Sequence, residues 1–190
     1  VVEKFKAESP LIVAGSTWKP DEELLSAFIN NNSRTKMIVA PHEVSPDTIN
    51  KLQQLLKNKA VLYSEAEKQD LKNFQVLIID SIGLLSSLYR YGDVAYIGGG
   101  FGVGIHNILE AATFGLPVVF GPNYTKFKEA VDLIEKGGAF SIHNRGELKN
   151  TLDILLKNEQ KRTKSASVCN KYVKENTGAS LIIIKKVFNI

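Results

Sequence analysis

Asp93 to Pro122 reads DVAYIGGGFGVGIHNILEAATFGLPVVFGP. The apolar run Val94 to Gly98 is a buried strand, the glycines after it a tight turn, the residues from about Ile105 a short helix, and Pro117 to Phe120 a second buried strand. A strand, a turn, a helix and a strand in this order form the repeating unit of a parallel α/β sheet. Gly98, Gly99, Gly100, Gly102 and Gly104 crowd the turn. Glycine lets a backbone approach a ligand closely and take positive φ. The following helix would aim free N–H groups and the positive end of its dipole at that ligand. A phosphate is the natural guest; the alternative is a turn needed only for packing.

Working outward, the same alternation continues. Leu11–Gly15, Lys36–Ala40, Ala60–Tyr63, Gln75–Asp80 and Ala139–Ile142 are short apolar runs that read as strands buried on both faces. Pro20-Asp21-Glu22 opens a helix with Leu24, Leu25, Phe28 and Ile29 on its apolar side, and Ser45-Pro46-Asp47 opens another. Ser81–Tyr91, Lys126–Lys136, Arg145–Lys157 and Glu159–Asn176 are further helices, and Gly178–Phe188 a closing one. Glu65–Asn73 is polar and reads as loop. The fold class is therefore α/β, a Rossmann-like doubly wound parallel sheet with C-terminal helices. Residues 1–190 form one domain, with 1–10 as a linker or arm and 145–190 as a helical tail.

Composition narrows the function. The 190 residues are 44% apolar and 23% charged, with 24 Lys plus Arg against 20 Asp plus Glu and a net charge of +4. That mild basic excess suits an anionic small molecule and does not call for nucleic acid. The single cysteine, Cys169, excludes an intrachain disulfide. No apolar run is long enough to span a bilayer and no signal peptide is visible, so this stretch reads as soluble. There is no HExxH, no GxSxG elbow and no Walker A lysine, and His42, His106 and Glu110 do not make a metal set; no metal or cofactor is expected.

Parallel sheets bind ligands beyond the carboxyl ends of their strands. The loops that should converge there are Gly15-Ser16-Thr17, Pro41-His42-Glu43, Asp80-Ser81-Ile82-Gly83, Gly98 to His106 and Gly121-Pro122-Asn123. Asn107 and Glu110 are three apart and share a helical face. Glu110 either accepts the two hydroxyls of a ribose or favours the helix dipole. The spacing does not match a dinucleotide fingerprint, whose acid lies at the end of the next strand. His42 is open between a site and a surface role, and His106 caps the helix, binds phosphate or is merely exposed. Tyr124, Lys126 and Lys128 either face the ligand or begin an exposed helix.

At these residues the sequence resembles a known family. Ala14-Gly15-Ser16-Thr17, Ala40-Pro41-His42-Glu43, Asp80 to Leu85, Tyr89 with Asp93-Val94-Ala95, and Gly98 through Pro122 stand in the order found in the C-terminal, donor-binding half of GT-B glycosyltransferases. The likeness is strongest to the 3-deoxy-D-manno-octulosonic acid (Kdo) transferases of lipid A biosynthesis. It departs at Pro41-His42-Glu43, where the family has Pro-Arg-His, at Leu84, where it has an acid, and at Ala111, where it has proline. The resemblance implies CMP-Kdo or another nucleotide sugar as donor and a lipid A precursor as acceptor. It also implies association of the full-length protein with the cytoplasmic face of the bacterial inner membrane. By position it implies Ser16 and Thr17 near the donor phosphate or sugar, Pro41 and His42 facing the nucleotide, and Ile82, Gly83 and Leu85 framing the cytosine. Gly99, Gly100, Gly104, Ile105 and His106 would lie along the phosphate, with Asn107 beside it and Glu110 on the ribose. No catalytic residue is expected in this chain, because such enzymes carry the acceptor site and base on an N-terminal domain. A piece of a longer enzyme, inactive alone, explains both that gap and a chain starting Val1-Val2-Glu3 without Met. The alternatives are a GT-B domain using a UDP-sugar, as a glycosyltransferase or half of an epimerase, and a non-catalytic nucleotide-binding module.

Overall fold

The computed structural model describes residues 1–57 and 59–177; the closing helix expected at 178–188 lies outside them. Among the described residues seven strands form one sheet: β1 (Leu11–Thr17), β2 (Lys36–Pro41), β3 (Ala60–Leu62), β4 (Val76–Ile78), β5 (Val94–Ile97), β6 (Val118–Phe120) and β7 (Ala139–Ser141). Their order is β3-β4-β2-β1-β5-β6-β7, and every pairing is parallel. Each strand anticipated from an apolar run is present.

The apolar runs are continuous because both faces of the sheet are covered. Successive residues of β1 point to opposite sides. Leu11 and Val13 belong to one core cluster, Ile12 and Ala14 to the other. The second cluster is closed by α2 (Lys19–Asn30), α3 (Pro46–Leu55) and α7 (Arg145–Lys157), through Leu25, Phe28, Ile29, Ile49, Leu52, Leu148 and Leu152. The first is closed by α1 (Val2–Lys6), α4 (Leu85–Leu88), α5 (Leu109–Thr113), α6 (Lys128–Lys136) and α8 (Glu159–Asn176). The helices expected as a tail thus cover opposite faces. α7 closes one, and α8 closes the other with Cys169 and Tyr172.

Three local expectations are corrected. Val1 to Pro10 is not an arm: Val2–Lys6 is helical, and Val2 and Phe5 are core residues. Ser81–Tyr91 is not one helix. Gly83 takes φ +92, which a right-handed helix cannot accommodate, so the chain turns before α4 and ends in a 3-10 turn, Tyr89–Tyr91. Glu65–Asn73 holds 3-10 turns at Tyr63–Lys68 and Leu71–Asn73 rather than plain loop, and Ala66 and Leu71 enter the core.

Strand order reverses between β1 and β5, since the chain moves outward one way from β1 and the other way from β5. In an open parallel sheet that switch point leaves a crevice at the carboxyl ends. The loops after β1 and β5 meet there.

Candidate functional site

The two loops at the switch point are in backbone contact. Gly98 donates its amide to Gly15 O at 2.9 Å, and a Cβ on Gly98 would lie 2.6 Å from Thr17 Cα. Across the rim, Gly100 is pressed against Gly121 of the loop after β6: a Cβ at Gly100 would lie 2.6 Å from Gly121 N. Asn123 braces the same turn, its backbone amide on Gly100 O at 2.9 Å and its side chain on Gly102 O at 2.6 Å. Part of the glycine cluster therefore serves close packing. Gly102 is different, since a Cβ there would touch nothing nearer than Gly99 O at 3.6 Å.

Ser16 ends the regular part of β1. It takes φ +52, and the β1–β2 register shifts between Gly15 and Thr17. A non-glycine residue in the left-handed region is strained, and such positions cluster at functional sites. Thr17 is only 1% exposed, and its hydroxyl donates to Glu22 Oε1 at 3.2 Å. That hydroxyl faces the Glu22 carboxyl inside the protein, so Thr17 lies beneath the rim at which it was expected near the donor phosphate or sugar. Burial pushes the Glu22 carboxyl up to about 7, partly opposed by the Thr17 hydrogen bond.

Trp18, passed over in the sequence, joins the loops. Its ring stacks on His42 at 4.3 Å, and His42 stacks on His106 at 4.5 Å. Trp18 Nε1 donates to His106 Nε2 at 3.1 Å, so that nitrogen carries a lone pair and the neutral imidazole has its proton on Nδ1. The His106 pKa lies below its ordinary value, from burial first and then the facing His42, with Asp21 opposing. The three rings make a wall running from the end of β1 past β2 to the glycine turn. Pro41, buried, pairs with Thr17 beneath it, and His42 donates its amide to Thr17 O at 2.9 Å.

On the other side of β1, Leu85 packs over Gly15: a Cβ at Gly15 would lie 2.8 Å from Leu85 Cδ2. Ile82 is 90% exposed and Gly83 has open space around it, so both are available at the rim without touching the stack. Tyr89 is buried below, its pKa raised by burial first and then by the charge of Glu110.

The glycine turn itself is partly committed. Gly99 donates its amide to Asp21 at 3.0 Å, Gly104 to Gly99 O at 3.3 Å and His106 to Gly98 O at 3.2 Å. Among the described residues the amides of Gly100, Phe101, Val103 and Ile105 have no protein acceptor. Ile105 turns its side chain into the core, and Gly104 is buried against Phe127. The helix expected from about Ile105 begins at Leu109. Asn107 Oδ1 takes the Leu109 amide at 3.0 Å, an Asx turn that competes with helix. Asn107 Nδ2 also reaches Glu110 Oε1 at 3.3 Å, so the two exposed side chains meet, although Asn107 lies ahead of the helix rather than on its face. Lys128 pairs with Asp132 on its own helix.

The site is thus a rim of loops with a ring wall, unpartnered amides and an exposed Asn–Glu pair. A cavity of about 600 Å3 between α2 and α3, lined by Thr17, Trp18, Glu22, Glu43, Asp47 and Lys51 among others, shares Trp18 with the wall but excludes the glycine turn. Among the described residues no group of three His, Cys, Asp or Glu could hold a metal ion, and no helix is long and apolar enough to cross a membrane.

No protein-family model matches the chain. It is 30% identical over 165 residues to the 3-deoxy-D-manno-octulosonic acid transferase of Chlamydia trachomatis serovar A, covering 84% of this chain and 38% of that protein. It is 30% identical over 159 residues to the Aquifex aeolicus enzyme of the same name, covering 80% of this chain and 43% of that one. The chain therefore spans less than half the length of these relatives. Its structure is similar to the C-terminal CMP-Kdo binding domain of WaaA from Acinetobacter baumannii, with a TM-score of 0.78, 22% identity, and 92% and 94% of the two chains covered. Its fold is that of the C-terminal domains of GT-B glycosyltransferases, and its sequence is similar to those of Kdo transferases.

Proposed function

We propose, from this kinship with the Kdo transferases and the GT-B C-terminal fold, that the chain is the donor-binding part of such an enzyme. In this reading it holds CMP-Kdo at the β1/β5 switch point. The observation that carries the proposal is the convergence there of Ser16, the Trp18–His42–His106 wall, Leu85 and the glycine turn, on a chain related to Kdo transferases over most of its length. The free amides of Gly100, Phe101, Val103 and Ile105 face the phosphate. Glu110, oriented by Asn107, accepts the ribose hydroxyls in charge-assisted bonds. Ile82, Gly83 and Leu85 frame the cytosine, and Pro41 and His42 face the nucleotide.

In the full-length protein a base on the other domain takes the proton from an acceptor hydroxyl of the lipid A precursor as that oxygen attacks the anomeric carbon of Kdo. The bond from that carbon to the CMP phosphate breaks, and preorganised amides stabilise the departing phosphate oxygen. The reaction belongs at the cytoplasmic face of the inner membrane, where such an acceptor is met.

Titration calorimetry with CMP, CDP, UMP and UDP tests the donor assignment. CMP is expected to bind best, and a preference for uridine nucleotides would overturn it. Glu110→Ala is expected to weaken CMP binding by about 1–3 kcal/mol through loss of the ribose bonds. An unchanged affinity would remove Glu110 from the site.

A further inference from the structure

We propose that Asp21 is the positioning residue of this site, the buried anchor that holds the glycine turn and the Trp18 ring in register; the inference rests on the donor-site reading above. Asp21 is 0% exposed. Its Oδ1 accepts the Tyr96 hydroxyl at 2.7 Å, and its Oδ2 accepts the backbone amides of Trp18 at 2.9 Å and Gly99 at 3.0 Å. The three donors come from β5, from the loop after β1 and from the turn after β5. A single carboxyl group thus ties together both sides of the switch point.

A buried carboxylate is tolerated only when its oxygens are hydrogen-bonded. Here no lysine, arginine or histidine pairs with it among the described residues, and the three donors do that work. Such charge-assisted bonds are short and strong. Fully buried, Asp21 cannot touch a donor nucleotide. It acts through what it holds, namely the direction of the Gly99–Gly100 peptide and the seat of the ring that stacks on His42.

The chemistry of the contacts separates geometry from charge. In Asp21→Asn the carbonyl oxygen can take the place of Oδ2 and accept both amides, while the side-chain amide donates to a Tyr96 hydroxyl turned to accept. Asp21→Ala loses all three contacts and leaves the Gly99 amide and the Tyr96 hydroxyl buried without this acceptor, and the part-buried Trp18 amide without its own.

Trp18 is the sole tryptophan, so intrinsic fluorescence reports on the wall directly. The test compares the chain with Asp21→Asn and Asp21→Ala, first without ligand and then with CMP. In the ligand-free arm, Trp18 emission and the amide NMR signals of Gly99 and Trp18 are expected to move in Asp21→Ala and to stay near their original positions in Asp21→Asn. In the ligand arm, CMP affinity should fall about tenfold or more in Asp21→Ala and stay within about threefold in Asp21→Asn. Should Asp21→Ala fail to fold, Asp21→Ser carries the same expectation. The inference is overturned if the Ala or Ser variant binds CMP as the unsubstituted chain does with the Gly99 and Trp18 signals unmoved. It is also overturned if Asp21→Asn loses as much affinity as Asp21→Ala while those signals stay in place. If the unsubstituted chain binds no nucleotide, the donor reading fails, and the ligand-free arm still decides whether Asp21 sets the turn.

Discussion

Asp21 and Glu22 stand side by side at the start of α2, and in the sequence they are two interchangeable helix-start acids. The structure separates them. Asp21 reaches β5 and the glycine turn, whereas Glu22, 5% exposed, accepts the Thr17 hydroxyl and is pushed up from 4.5 to about 7 by burial. The folded chain therefore binds the Glu22 proton more tightly than the unfolded chain does. The stability this contributes is fully present below pH 4.5 and is lost as pH rises through about 7. Glu22→Gln should then stabilise the chain by about 1–3 kcal/mol at pH 8 and change little at pH 4.5, read from urea unfolding at the two pH values. Equal effects at both would show that Glu22 is not buried with a raised pKa. None of this was legible locally, because burial of either acid is decided by Tyr96, Gly99 and Thr17 rather than by its neighbours in α2. The Asn107–Glu110 contact was legible only in part: a spacing of three puts two helical residues on one face, but Asn107 lies ahead of α5 and reaches Glu110 from its Asx turn. Trp18 went unread for a similar reason: a lone aromatic after a strand carries no periodic signal, and its partners lie in two other loops.

At the scale of elements, the strands were the easiest to read, because a strand buried on both faces is an unbroken apolar run bounded by turn residues. α7 and α8 have the bounds read from the sequence, and the structure shows Asn144 and Asn158 each accepting a backbone amide of the first turn. The short helices were harder. A single glycine at positive φ ended the expected helix at Ser81–Tyr91, and one Asx turn delayed α5 to Leu109. The glycine turn was recognised as important, yet its glycines are not equivalent. Gly100→Ala would drive a methyl group into the Gly121 backbone, with nothing flexible to yield. It should cost about 2–4 kcal/mol, as overpacking of a backbone contact does, and abolish nucleotide binding. Gly102→Ala, in the same turn, meets only an ordinary contact and should change stability by less than about 0.5 kcal/mol. Thermal unfolding and CMP titration of the pair check this; similar losses for both would mean the turn is not braced against the loop after β6.

For the molecule as a whole, the N-terminal residues taken for an arm prove to be part of the core. Composition misled there, since five residues around one fully buried phenylalanine look polar when counted together. Phe5→Ala is expected to cost about 3–5 kcal/mol, measured by urea unfolding. A loss below about 1 kcal/mol would return the segment to the status of an arm. The doubly wound architecture was legible from alternation alone; the strand order was not, since nothing in the sequence of β1 says that it ends up central. That placement sets a sequence of assembly. One neighbour of β1 is the next strand along the chain, while the other, β5, arrives only after two further strands have been passed. Closing the first loop restricts a short segment, and closing the second restricts a long one. The half-sheet β3-β4-β2-β1 can form early, with the inner edge of β1 still open. The β1–β5 junction, where the proposed donor site lies, should be completed late, so on that proposal nucleotide affinity should be the last property the folding chain acquires.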